Sequence, residues 1–181
     1  MNSKKLRPYI LHPRKISSVF ENRSKNILFD TDAIVSILAY NSKQILNDLR
    51  DESISFSLID PIRKELVNTK KEKERIDRLN LLDEFEFIDI PITKKEIDYS
   101  TRIQTWHARY ECFPSIPDLY LGGTLAKYSK REAGNILLFT SNVKDFRSPL
   151  FRRKGYIIFQ NKQSVKTASL LDIDMTLLPH L

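Results

Sequence analysis

The residues of this 181-residue chain best suited to chemistry are acids. Asp30 and Asp32 flank Thr31 directly after the apolar run Ile27-Leu28-Phe29, and a helix-like apolar pattern continues to Leu38. A short apolar run that ends in turn-prone polar residues reads as a buried strand stopping at a helix start. In an open parallel sheet, ligands bind just outside the carboxyl ends of the strands, which is where Asp30 falls. Two carboxylates so close repel each other unless a proton or a cation offsets the charge. Thr31 and Asp32 read equally well as simple caps of the following helix.

Three more acids fall at comparable places. Asp145 follows the apolar run NILLF (135–139) within a few residues. Glu65 and Asp118 are expected in the first turns of helices that open at Asp60-Pro61 and at Ser115-Ile116-Pro117-Asp118. Helix openings lie at the same end of such a sheet as the strand carboxyl ends, so Asp30, Glu65, Asp118 and Asp145 can converge on one pocket. Together in a partly desolvated cleft they would destabilise one another. An all-oxygen ligand set of this kind selects a hard cation, Mg²⁺ or Mn²⁺. The simpler account makes Glu65 and Asp118 stabilisers of helix N-termini, with Asp118 the reciprocal half of a capping box with Ser115.

The elements that must position these acids alternate between the two types. Strands are expected at Ile27–Phe29, Ser53–Leu58, Phe85–Ile90, 135–139 and Tyr156–Gln160. Helices are expected from Asp32, Ser42, Asp60, Asn68, the Thr93-x-x-Glu96 capping box and Ser115. This alternation predicts an α/β layer fold with a parallel sheet. Adjacent Gly122 and Gly123 inside a helix imply that a neighbouring element packs very closely there. The residues from Ser164 onward are read as a helical tail.

Apolar residues make up 41% of the chain and mean hydropathy is −0.37, an ordinary soluble composition with no run long enough for a membrane span. No apolar run of secretory type follows the N-terminus, so no signal peptide is expected, and a cytoplasmic location is. Cys112 is the single cysteine, and His12, His107 and His180 lie far apart, which excludes an intrachain disulfide and argues against zinc. Of the formal net charge of +7, +6 falls within residues 1–25. A basic arm on a near-neutral body suggests a nucleic acid or an acidic partner, although a short charged arm is as often only solvated.

The ordered set FDTDAIV, KEL, PDLYLGGTLA and LLFTSNVKDF resembles the PIN-domain ribonucleases, in particular their VapC-like toxin group, over about residues 26–160. The resemblance implies a three-layer fold, with a central parallel sheet flanked by helices, over residues 26–163. It implies an endoribonuclease that hydrolyses RNA phosphodiester bonds with Mg²⁺ or Mn²⁺ and leaves 5′-phosphate and 3′-hydroxyl ends. Asp30, Glu65 and Asp118 match the family's first three acids, and Thr140, Asn142 and Asp145 its threonine–asparagine–aspartate element. Many members carry Asp where this chain has Asn142. The fourth acidic role then falls to Asp145, or three carboxylates suffice. The family further implies RNA as partner, a cognate antitoxin protein if the chain is the toxin of a type II pair, and a homodimer. The basic arm, Lys127, Lys130, Arg131 and Arg152-Arg153-Lys154 are the candidates to hold the RNA backbone.

Three other readings stay open. A housekeeping RNA-processing nuclease would use the same site. An inactive binding module would keep the fold alone. LFDTDAIV also resembles the opening motif of haloacid-dehalogenase-type phosphatases, but no Asp-Asp or Gly-Asp partner follows NILLF.

Overall fold

A computed structural model describes residues 9–10, 25–131, 136–147, 149–161 and 163–178, with the backbone alone described at 9–10 and 130–131. Most of the basic arm, including all its charges except Lys25, lies outside the described residues, as do the side chains of Lys130 and Arg131.

In chain order the elements are β1 (Tyr9–Ile10), β2 (Lys25–Phe29), α1 (Thr31–Ala39), α2 (Gln44–Asp51), β3 (Ile54–Ile59), α3 (Asp60–Val67) and α4 (Glu72–Glu84). Then come β4 (Ile88–Ile90), α5 (Lys94–Ala108), α6 (Ile116–Arg131), β5 (Ile136–Thr140), β6 (Phe151–Gln160) and β7 (Val165–Ile173). One 3₁₀ turn, Val143–Asp145, follows β5, and another, Met175–Leu177, follows β7. The strands form one sheet in the order β1-β6-β7-β5-β2-β3-β4.

The expected α/β architecture is present, with a parallel centre β5-β2-β3-β4. Strands β1, β6 and β7 extend it antiparallel on the β5 side. From β2 to β3 to β4 the chain steps one way across the sheet, and from β4 to β5 it returns past β2. Right-handed crossovers therefore place α1–α4 on one face and α5–α6 on the other. The reversal makes the gap between β2 and β5 the topological switch point.

The parallel strands are buried on both faces. Ile27, Leu28 and Phe29 of β2, and Leu137, Leu138 and Phe139 of β5, are essentially inaccessible. Phe29 meets the rings of Phe56, Phe87 and Phe139 edge-on at 5.1–5.5 Å between centroids. Such pairs add about 0.5–1.5 kcal/mol each beyond the area they bury, and they fix the strand end that delivers Asp30.

Two expectations are corrected. The C-terminal segment is a strand: β7 lies between β5 and β6, so residues 165–173 belong to the sheet and form no helical tail. Its run Ala168–Leu171, Ser169 included, is buried at every position, and a short buried run without strict alternation cannot be told from a helix by periodicity. Strand β4 is shorter than the expected Phe85–Ile90, because Phe85 caps α4 and Glu86 takes a left-handed conformation at φ 51°.

The close approach expected at the glycine pair is real. Ser100 Oγ lies 2.7 Å from the carbonyl of Glu96 and 2.8 Å from that of Leu119, donating to one of them at a time and bridging α5 to α6. A Cβ on Gly123 would collide with that hydroxyl and with the Glu96 carbonyl. Nearby, Lys127 is buried in an ion pair with Glu96, the residue that also closes the capping box with Thr93. Lys127 is thus a structural cation and not the expected backbone contact for RNA.

Gly123→Ala should destabilise the protein. Its helix-propensity gain of about 1 kcal/mol is outweighed by overpacking against backbone, which costs about 1–3 kcal/mol and often more against rigid atoms. Thermal unfolding should show a Tm several degrees below wild type; an unchanged or higher Tm would mean that the helices separate easily here.

Candidate active site

Four carboxylates and their holders gather at the carboxyl edge of the parallel strands. The register Phe29↔Phe139 places Asp30 beside Thr140, and the Asp30 N–H donates to the Phe139 carbonyl at 3.1 Å. Thr140 Oγ1 donates to Asp30 Oδ2 at 2.6 Å and itself accepts from the Asn142 N–H at 2.9 Å. The Asn142 amide donates to Asp145 Oδ2 at 2.5 Å, so one short segment after β5 holds two acids.

On the other side, Thr31 Oγ1 donates to Glu65 Oε2 at 2.9 Å, linking α1 to α3. Ser115 and Asp118 form a reciprocal box at the start of α6: the Ser115 hydroxyl donates to Asp118 Oδ2 at 2.5 Å, its N–H to the same oxygen at 3.2 Å, and the Asp118 N–H to Ser115 Oγ at 3.3 Å.

The capping explanation now separates the acids. Asp30 stands at the N-cap of α1 but takes no N-cap hydrogen bond, Asp32 is exposed, and the Thr31 hydroxyl is committed to Glu65. Glu65 lies in the last turn of α3, not the first turns as expected. There the helix dipole disfavours a negative charge, so it gains nothing as a helix stabiliser. Asp118 does serve its own helix and faces the site as well.

The charges act on one another. Burial, against the pull of the Thr140 hydrogen bond and with the charges of Asp118 and Asp32 adding to it, raises Asp30 to about 7. Burial likewise raises Asp118, with Asp145 and Glu65 adding repulsion against the bonds from Ser115. Asp30 is 5% exposed and Asp118 8%.

Of the buried acids, Glu96 is paired with a cation and Asp30 and Asp118 are not. Glu96, Glu74, Glu84, Asp89, Asp172 and Asp174 all form ion pairs with lysine or arginine. Among the described residues, Asp30, Glu65, Asp118 and Asp145 make no ion pair, and each is held by a neutral hydroxyl or amide. A neutral donor orients a carboxylate without cancelling its charge, so the edge keeps a concentrated negative potential. Among the described residues, however, no three acids, histidines or cysteines stand close enough together to hold one metal ion.

Thr31 and Ser115 were not expected as site residues. Their only signal in the sequence is a hydroxyl adjacent to, or three residues before, a candidate acid. Behind the site His107 is fully buried with no hydrogen-bond partner for either nitrogen. Burial, aided by the Arg147 charge and opposed by Asp145, lowers its pKa and keeps it neutral.

No protein-family model matches the chain, and no curated protein does. Among solved structures, a chain in the crystal structure of VapBC2 from Rickettsia felis bound to a DNA fragment from their promoter is similar, at 14% identity and a TM-score of 0.47. The match covers 62% of this chain and 96% of that one. A likeness at this level carries no argument about function. No helix among the described residues is long and apolar enough to cross a membrane.

The raised Asp30 makes the site a cost to stability with a defined pH window. The folded state holds the Asp30 proton up to about pH 7, whereas the unfolded chain releases it near 3.8. Wild type should therefore lose stability against Asp30→Asn as pH rises from about 4 to about 7, and the gap should level off above that. At about 1.4 kcal/mol per pH unit the gap amounts to at most about 4 kcal/mol. Denaturant unfolding of both proteins between pH 4 and pH 8 measures it; parallel curves would place Asp30 in a solvated, unstrained setting.

Proposed function

We propose that the protein is a Mg²⁺- or Mn²⁺-dependent endoribonuclease. The observation that carries this reading is the set of four acids from four separate elements, each oriented by a neutral donor and none paired with a cation, around the switch point of an α/β sheet. The buried pair Asp30 and Asp118 costs the fold stability when charged, and a hard divalent cation is the ligand that offsets it. The donor chemistry fits such a cation; the side chains as they stand must close in to share one.

In this reading Asp30, Glu65, Asp118 and Asp145 hold the ion. Bound there, such an ion would supply Lewis acidity and offset negative charge at the phosphodiester. Thr140 keeps Asp30 turned toward the site, Thr31 does so for Glu65, Ser115 for Asp118, and Asn142 for Asp145. Asn142 then acts as an orienting residue, and the fourth carboxylate is Asp145. The resemblance of the sequence to the PIN-domain ribonucleases supports RNA as substrate and extends the reading to the toxin of a type II pair. A neighbouring reading frame that encodes an antitoxin would support that extension, and a frame without one would favour the housekeeping alternative.

Purified protein should cut a mixed RNA pool with Mn²⁺ or Mg²⁺ and not with EDTA. Asp30→Asn and Asp118→Asn should each lower the rate at least a hundredfold, the scale on which loss of one charged group in such a site is felt. Mn²⁺ should also raise the Tm of wild type and leave that of Asp30→Asn unmoved, because a ligand stabilises only the state that binds it. Cutting that survives Asp118→Asn would remove it from the site; no cutting and no Mn²⁺-induced shift would leave a fold without this activity.

A further inference from the structure

A second feature adjoins the acids and has the opposite charge. A cleft of about 660 Å³ lies between the Val143–Asp145 turn and β6, with Lys144, Arg147, Arg152 and Arg153 on its walls and Phe146 and Phe151 among its lining. All four cations are exposed, and no acid lines the cleft. Arg152 is partly answered by Asp174 at 3.4 Å. Lys144, Arg147 and Arg153 have no acidic ion-pair partner among the described residues.

The placement is built into the fold. Successive residues of a strand point to opposite faces, yet Arg152 and Arg153 both line this cleft. Immediately after them the β6–β7 register slips between Arg153 and Gly155, a bulge of the kind that twists a strand and re-aims its side chains. Lys144 is the chain neighbour of Asp145, so the cleft starts close to the acidic site, and the register carries it back along the sheet to Arg152 and Arg153, level with the middle of β5. An exposed aromatic follows a residue that touches the cleft wall: Phe113 is 81% exposed, and the thiol of its chain neighbour Cys112 donates to the Lys144 carbonyl at 3.9 Å.

We propose that this cleft is the channel for single-stranded RNA as it runs on from the acidic site, with phosphates on Lys144, Arg147 and Arg153 and a base stacked on Phe113. The identity of the ligand rests on the nuclease reading. Unpaired cations along a groove, together with aromatic rings on which bases stack, are the means by which proteins hold a single strand without reading its sequence. The juxtaposition also divides the work: a carboxylate cluster repels a polyanion, and the adjoining cations supply the attraction that brings the strand to it.

The test separates binding from cleavage. Full-length Asp30→Asn protein is titrated into a fluorescein-labelled twelve-nucleotide oligouridine in EDTA over a range of KCl, with anisotropy as the readout. Arg147→Ala/Arg153→Ala added to this background should weaken binding roughly tenfold and flatten the salt slope by about 1.4, two phosphate contacts at about 0.7 each. Phe113→Ala should weaken binding with the slope unchanged. Lys70→Ala/Lys73→Ala, which removes exposed cations from the α3–α4 region, should change neither. Equal Tm values for the variants exclude misfolding as the cause.

Groove and control variants that bind alike would overturn the channel while leaving metal-dependent cutting by wild type unaffected. Groove-dependent binding by a protein that never cuts would instead keep the channel and sink the nuclease. An oligoglutamate peptide that binds through the same arginines more tightly than the oligonucleotide would assign the cleft to an acidic protein partner and overturn the proposal.

Discussion

The hydrogen bond from Thr140 to Asp30 is the contact on which the organisation of this molecule turns. It spans the switch point of the sheet and joins the ends of two parallel strands that are 110 residues apart in the chain. Its geometry follows from strand register, since Phe29 and Phe139 are direct partners and the next residue of each strand emerges beside the other. The rings packed around Phe29 hold that register in place. A buried carboxylate is thereby set where an open α/β sheet offers a crevice.

The acids at the crevice are held differently from acids such as Glu96 and Asp89. Glu96 meets Lys127 and Asp89 meets Arg63. Asp30, Glu65, Asp118 and Asp145 each meet a hydroxyl or an amide. An ion pair would lower the energy of the acid and cancel its field, whereas a neutral donor fixes direction and leaves the charge in force. The fold therefore carries a destabilised edge, and the rigid β2–β5 pair and the α5–α6 pair locked at Ser100 and Gly123 keep that edge assembled. In the proposed reading, stability is given up where the chemistry needs concentrated charge, a trade common at active sites.

Beyond the parallel centre, the antiparallel strands add a different surface. Strand β6 brings Arg152 and Arg153 to the wall of a cleft that Lys144, the chain neighbour of Asp145, also lines. The register sets these arginines toward the amino ends of the parallel strands, so the positive surface leads away from the edge that holds Asp30.

Much of this was legible in the sequence because much of it is local. A strand such as Ile27–Phe29 announces itself by unbroken apolar residues bounded by Asp-Thr-Asp. The openings of α5 and α6 are written in Thr93-x-x-Glu96 and Ser115-x-x-Asp118, whose partners are three residues apart. The glycine pair signalled a close neighbour without saying which. The sequence could not assign the partners of residues far apart, because periodicity and capping are properties of one segment while partnership depends on topology. Lys127 looked like any surface lysine until α5 brought Glu96 against it. The segment 165–173 looked helical until the sheet supplied a strand on each side and buried its run Ala168–Leu171. Glu65 looked like a helix opener, and only its contact with Thr31 across 34 residues gave it a place in the crevice. By itself the sequence determined most of the elements up to β6 and the acids they carry; the tertiary structure alone decided that 165–173 is a strand, which acids share an edge and what holds each of them, because those pairings exist only once the strands have taken their order.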